Sequence, residues 1–515
     1  DHTISSEDTF YGRYAVDDTE QTNPVAYPQF KFLRNSRSQH AVASEIHIFS
    51  PALLNTARFS FSRNNALTGS LNPFTGPQYS FIQGRPLGTI SVAGLNIMQP
   101  STPSQQLRNV LTWSDDIFYT VGRHSLKFGT LINRYDDLNF TATNINGTMN
   151  FASVATFLTG QPTSYNAITP GSNLNKDYRF MTFGFYLQDD LRLLPTLTLN
   201  LGLRYEAHTV PSEKDGNSAA LRDVRNDATT TVGPIFENMS LKNFSPRFGF
   251  AWDIGGQGKM ALRGGFAELF DIAVFGQTLN IATTGTPPFS SNSAVTNPAG
   301  PAAPVITFPF PFSAGNIGRS LRTQDYHMAQ PHLLAYNLSF ERQLPGRTAI
   351  SAAWVGSRGL NLMKTVEGNP VIPQIQADGR QFFPAGAPRI NRNWTSMEFK
   401  TAGGDSWYNS LQASFNKALS RGFQLQTSYT WSKLIDEKQG QALGENTAAS
   451  LFGADPLNNK TDRAVADFDL TQSLRINTIY DLPKFGMGGV AGKLLDGWRV
   501  SSIISLQDGL PVSIV

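Results

Sequence analysis

Leu197-Thr-Leu-Asn-Leu-Gly-Leu-Arg-Tyr205 alternates without a break. Leu197, Leu199, Leu201, Leu203 and Tyr205 fall on one side; Thr198, Asn200, Gly202, Arg204 and Glu206 fall on the other. Side chains of a strand point alternately to its two faces, so this is a strand with one apolar and one polar side. The period recurs along the chain. Phe248, Phe250 and Trp252 alternate with Arg247, Gly249 and Asp253; Leu334, Tyr336, Leu338 and Phe340 alternate with Asn337, Ser339 and Glu341. Leu425, Tyr429 and Trp431 repeat it, as do Trp498, Val500, Ile504 and Leu506.

About fifteen such segments are readable, from 5–14 to 497–507, and no long amphipathic helix; Phe151 to Gly160 suits a helical turn or two inside a loop. Short connections sit near 50–52, 122–124, 194–196, 255–257, 344–347 and 419–421, with a Gly-rich turn at Pro483 to Lys493. Their residues are turn formers: Gly122-Arg-His124, Pro345-Gly346, Ser420-Arg-Gly422. Long connections alternate with them, at about 15–40, 64–106, 138–176, 209–244, 270–332, 358–405 and 436–467. A soluble sandwich also gives alternating strands. It does not need every long connection at one end, and long structureless loops are uncommon in compact domains. An all-β, antiparallel, up-and-down transmembrane barrel does, with short periplasmic turns and long extracellular loops.

Composition agrees. The 515 residues carry 42 Lys plus Arg and 39 Asp plus Glu. The net charge of +3 gives no reason to expect nucleic acid as a partner. Charged residues are 16% and aromatics 11%, with 36 Phe, which excludes general disorder. Mean hydropathy is −0.24, near neutral as lipid-facing and water-facing sides average out. With no cysteine there is no disulfide scaffold, Cys-ligated zinc, iron–sulfur cluster or thiol nucleophile. No apolar run is long enough to make a membrane-crossing helix.

Chemistry-bearing motifs dissolve on inspection. Gly255-Gly-Gln-Gly-Lys-Met260 lacks the first Gly and the final Ser or Thr of a phosphate loop. Gly356-Ser-Arg-Gly359 lacks the spacing of a nucleophile elbow. His2, His40, His47, His124, His208, His327 and His332 form no His-x-x-x-His pair. Asp115-Asp116, Asp136-Asp137 and Asp189-Asp190 could be read as acid/base pairs, but sit toward strand ends, where carboxylates mark the water boundary. No catalytic, cofactor or metal residue is expected. The residues singled out are Arg204, Glu206, Arg247, Asp253, Arg263, Glu341, Arg475 and Arg499, all on polar strand faces. On lipid at mid-depth each Arg would cost about 2–4 kcal/mol, so these are expected to face the lumen. Ligand selection is expected in long loops such as Pro287 to Phe312.

Phe185-Tyr-Leu-Gln-Asp-Asp-Leu-Arg-Leu-Leu-Pro-Thr-Leu-Thr-Leu-Asn-Leu-Gly-Leu-Arg-Tyr-Glu206 resembles the paired-strand signature of TonB-dependent outer-membrane receptors. Asn243-Phe-Ser-Pro-Arg-Phe-Gly-Phe-Ala-Trp252, Gly122-Arg-His-Ser-Leu-Lys-Phe-Gly129, Ser428-Tyr-Thr-Trp-Ser-Lys433 and Gly497-Trp-Arg-Val-Ser501 are similar to its Oar-like subgroup. The resemblance implies a 22-stranded barrel, an N-terminal plug, and uptake of a glycan, peptide or metal chelate energised by a TonB complex. No plug-like region is readable and about fifteen strands are, so residues 1–515 are expected to be one barrel domain lacking plug and C-terminal strands. Expected partners are outer-membrane lipid, an unidentified small ligand and, through the missing N-terminal region, TonB. A non-transporting adhesion barrel and a secreted carbohydrate-binding β-protein are the alternatives.

Overall fold

The computed structural model describes residues 1–98, 103–272, 279, 282, 285–296, 308–310, 318–384, 386–437, 455–483, 489–490, 494 and 496–512. Fifteen long strands follow one another in chain order. They are β1 (Asp8–Pro24), β2 (Lys31–Ser50), β3 (Leu53–Leu71), β4 (Ser104–Val121) and β5 (His124–Thr141). Next come β6 (Asn175–Leu194), β7 (Leu197–His208), β8 (Phe244–Asp253), β9 (Met260–Phe270) and β10 (His332–Leu344). The last are β11 (Thr348–Glu367), β12 (Met397–Ser420), β13 (Phe423–Asp436), β14 (Gln472–Asp481) and β15 (Arg499–Gln507). Each pairs antiparallel with the next, so the connections after β2, β4, β6, β8, β10, β12 and β14 share one rim, and the short turn at 25–30 lies with the long connections at the other. Among the described residues, only the two-residue strand His2–Thr3 lies beyond β1, and β15 pairs with β14 alone.

Turn chemistry fixes the short rim. Between β12 and β13 both Arg421 and Gly422 are left-handed, with φ 52 and φ 76 degrees. That is the twist a two-residue hairpin between right-twisted strands requires. Register then sorts the side chains. None of Leu199, Leu201, Leu203, Phe248, Phe250, Leu338, Phe340, Leu425 and Val500 is buried. They form an apolar outward row that no described residue covers as a partner layer, as lipid contact requires. Three glycines are set under aromatic rings of the facing strand: Gly129 under Tyr186, Gly264 under Phe250 and Gly356 under Tyr336. A Cβ at Gly264 would meet the Phe250 ring at 2.5 Å, so the ring takes the space a side chain would occupy.

Two expectations need correction. The span 15–40 is strand except at 25–30. Asp17-Asp-Thr-Glu-Gln-Thr-Asn23 pairs in register with Phe32 to Ser38, and this stretch of β1 is polar on both faces, so no apolar alternation marked it. Nor are the other long connections structureless. Thr89–Val92, Thr148–Phe151, Ser164–Ile168, Asn292–Thr296 and Gly318–Gln324 join edge to edge into a further sheet. Gly318–Gln324 then runs parallel to the start of β12, from Leu321 opposite Met397 to Gln324 opposite Lys400. This roof has its own core, including Tyr165, Val92, Phe81 and Phe310. The expected helical turn is present as Val154–Leu158, capped by Ser153, which exchanges hydrogen bonds with Thr156.

Candidate functional site

Register places all eight singled-out residues on one face of the sheet. Arg204 stands opposite Ser245, Arg247 opposite Ala267, Arg263 opposite Ala251 and Ser339, and Glu341 opposite Ser351. The row continues through Ser414 and Ser428 to Arg475, and Asp481 faces Arg499. Asp253 shares that face with Arg247, at even spacing on β8. Three ion pairs form. Arg204 meets Glu206 at 2.7 Å on one strand; Arg263 Nη1 donates to both carboxylate oxygens of Glu341, at 2.9 and 3.0 Å; Arg499 meets Asp481 at 2.5 Å. Asp253 instead braces its turn, accepting from the Gly258 N–H at 2.9 Å. Arg247 and Arg475 form no ion pair among the described residues. The described residues do not fill this face: Arg263 and Glu341 are half exposed.

The adjacent acids do not act as pairs, because neighbours on a strand point apart. Asp116 joins Arg58 at 2.9 Å and also the Tyr186 hydroxyl on the polar face, whereas Asp115 turns outward to the Asn55 amide. Asp137 meets Arg108 at 2.6 Å while Asp136 lies between Arg134 and Arg179 on the other face. Asp189 contacts His124 and Asp190 contacts Asn200. His327 pairs with Glu237 and His332 with Gln330 and Glu268, so those two histidines serve separate sites. The structure does assemble one group that sequence spacing hid: ligand atoms of Asp8, Glu45 and His47 lie within 4.8 Å of one another. Glu45 and His47 are two apart on β2, but Asp8 arrives only through the β1–β2 register. Such a set could hold a cation; its strongest contact is the 2.6 Å pair between Asp8 and His47.

At the long-loop end the polar face is covered. Tyr178 and Phe180 of β6 pack against Ile235, Phe236, Leu279 and Ala282 from two connections, and Tyr178 and Phe236 are fully buried. Lys176 is equally buried and donates to the Asn217 carbonyl at 2.6 Å. The roof is bolted to β12 by Arg322, whose guanidinium takes Glu398 at 2.8 and 3.2 Å; Lys400 reaches the same carboxylate at 3.2 Å. Between roof and strand tops lies a cleft of about 970 Å³. Its apolar lining includes Ile82, Phe140, Ile168, Leu174 and Phe310, and Arg85 is the one charged residue among the described lining. Hydrogen bonds hold its wall: Thr169 to Ser291 at 2.9 Å and Asn173 to Phe289 at 2.8 Å. Of the loop Pro287 to Phe312, residues 297–307 and 311–312 lie outside the described residues; Phe310, which is described, reaches this cleft.

A search of curated proteins finds no match. Among solved structures, the outer membrane transporter YddB from Escherichia coli superimposes with a TM-score of 0.54 at 11% identity, over 98% of this chain and 60% of YddB. The copper transporter OprC gives 0.50 at 9% identity, over 92% of this chain and 54% of OprC. At such identities the likeness speaks for the fold alone, and the chain spans little more than half of those proteins. The sequence profile of the outer membrane beta barrel domain matches residues 1–515. With its two-faced sheet and one-sided long loops, the chain belongs to the outer membrane β-barrel domain family and resides in the outer membrane.

Proposed function

We propose that this chain is the barrel section of an energy-coupled outer-membrane receptor of the TonB-dependent kind, taking up a small ligand. The observation that carries the reading is the unfilled polar face. Small barrels fill their interior with their own side chains; wide ones leave a channel or hold a plug. Here fifteen strands turn a charged, half-exposed face inward, with Arg247 and Arg475 unmatched by an ion pair among the described residues. Those charges suit docking of a separate plug segment, and Arg204, Glu206, Arg263, Glu341 and Arg499 are read as lumen residues that brace the wall. Asp253, engaged with its own turn, is the weakest member of that set. Two solved proteins with this fold, YddB and OprC, are transporters, the latter of copper, which supports transport over adhesion. A glycan, a peptide and a metal chelate all remain within this ligand class.

The test is depletion of growth medium. The parent strain, a strain lacking this protein and a strain lacking the TonB complex are grown in one complex medium, and the spent media are compared by mass spectrometry. At least one compound consumed by the parent is expected to persist in both mutants. Identical consumption by all three strains defeats the proposal.

A further inference from the structure

The outward face above the apolar band carries a patch that uptake does not use. Four neighbouring strands, β3 to β6, align in rows. One row reads Phe59, Trp113, Ile132, Phe183. The next reads Phe61, Leu111, Arg134, Met181, and the one above it Arg63, Asn109, Asp136, Arg179. The face thus changes from wholly apolar to cationic within three rows. Asp136 lies 3.7 Å from both Arg134 and Arg179, and Lys214 adds a further cation 3.9 Å from Asp177. Arg63 forms no ion pair among the described residues. Three arginines and a lysine against two carboxylates leave an excess of two positive charges on an exposed surface.

Height identifies what this patch meets. Arg134 stands ten residues above His124 at the short-turn rim, roughly 33 Å along a strand at about 3.3 Å per residue. Strand tilt reduces that to about 25 Å, the thickness of the lipid-facing band. The cations therefore sit at the outer-leaflet surface, where an outward Arg costs roughly 0–1 kcal/mol rather than its mid-membrane penalty. Away from the short-turn rim, Asp115, held by Asn55, is the acidic exception within the band on these strands. At the same height a second pair of arginines flanks an outward tryptophan, one of them already paired with Asp405 at 2.9 Å. Arg358, ten residues above Thr348, faces Trp407, and the guanidiniums of Arg358 and Arg463 lie 4.7 and 4.2 Å from its ring.

We infer that Arg63, Arg134 and Arg179 form a docking site for the phosphate-bearing headgroup of a multi-acyl lipid in the outer leaflet, with its chains against Phe59, Trp113 and Phe183. Planar guanidiniums match phosphate oxygens in pairs. Basic groups at this level recognise headgroups while the rows below recognise acyl chains. The inference depends on outer-membrane residence, and not on transport.

The test uses the whole protein extracted from the outer membrane into mild detergent. It is titrated with hexa-acyl lipid A bearing two phosphates and with the same lipid dephosphorylated, and retained lipid is read by native mass spectrometry. The phosphorylated form is expected to bind at least tenfold tighter. The triple variant Arg63→Ala, Arg134→Ala, Arg179→Ala should lose that preference, while Arg380→Ala with Arg421→Ala, remote from the patch, should keep it. Equal retention of the two lipids by the unaltered protein overturns the inference, and so does a triple variant with full preference. Folding is followed by heat-modified electrophoretic mobility. If the alanine variant does not fold, the unaltered protein's comparison of the two lipids stands, and the triple lysine variant must retain a phosphate preference.

Discussion

The β5–β6 side of the sheet and the β13–β15 side are built alike and finished differently. Both alternate apolar and polar residues, yet at β6 the inward Lys176 and Tyr178 are fully buried under folded connections. At β15 Ile503 is 86% exposed and the Arg499 side chain 62%. Amphipathic alternation therefore makes the wall but not the burial. What buries a side chain in this protein is a connection folded over it, and such cover comes from segments distant in sequence.

Substitutions that break the covered side should cost most. Arg322→Ala leaves Glu398 without its main partner in a largely enclosed site. Lys400 still reaches that carboxylate, so the cost should lie at the lower end of the about 3–5 kcal/mol that loss of a buried partner brings. Protease protection of 318–324 in the folded protein is the measurement, and unchanged protection would show that the roof does not depend on this bolt. Phe236 belongs to the fully buried cluster. Phe236→Ala should cost about 3–5 kcal/mol and expose 209–243 to the same protease.

The ring-covered glycines give a middle step. A valine at Gly356 would drive its Cβ into the Tyr336 ring. Overpacking of this kind costs about 1–3 kcal/mol. Gly202→Ala is the control, since its nearest neighbour would be at 3.5 Å. Denaturant midpoints of the two variants should separate; equal midpoints would mean the rings move aside freely.

On the uncovered side effects should be small. Arg263→Ala breaks a pair that is about half exposed. Exposed pairs contribute roughly 0–1 kcal/mol. A larger loss would mean that this face is enclosed by something beyond the described chain. The smallest effect concerns pH. Hydrogen bonds from the Asn226 side chain and from the Arg225 and Asn226 amides hold the Asp223 carboxyl below its usual range. A depressed carboxylate stabilises the fold above its unfolded value and loses that contribution as pH falls through the folded one, below about pH 4. Asp223→Asn should flatten that acid limb in proteolysis of the 221–227 turn.

The wall was legible because lipid on one face and water on the other enforce a period of two, as in Leu197 to Tyr205. It ceased to be legible where the strands leave the membrane. From Asp17 to Asn23 both faces are polar, and backbone pairing with an exposed Arg37–Asp18 contact holds the hairpin. The charges of the polar face were visible one by one, but not their partners: Arg263 and Glu341 are 78 residues apart, and only the β9–β10 register joins them. Roof strands of four to seven residues carry too little pattern to be read, and the clefts they form carry none.

The shared roof sheet makes the external loops non-interchangeable. Thr89–Val92 rests on Thr148–Phe151, Ser164–Ile168 on Asn292–Thr296, and Gly318–Gln324 on β12. Replacing one connection with a foreign loop would leave unpaired edges on its neighbours, each a row of backbone donors and acceptors without partners. Variation at this surface is thus constrained to side chains on a common frame, or to exchange of the loops as a set.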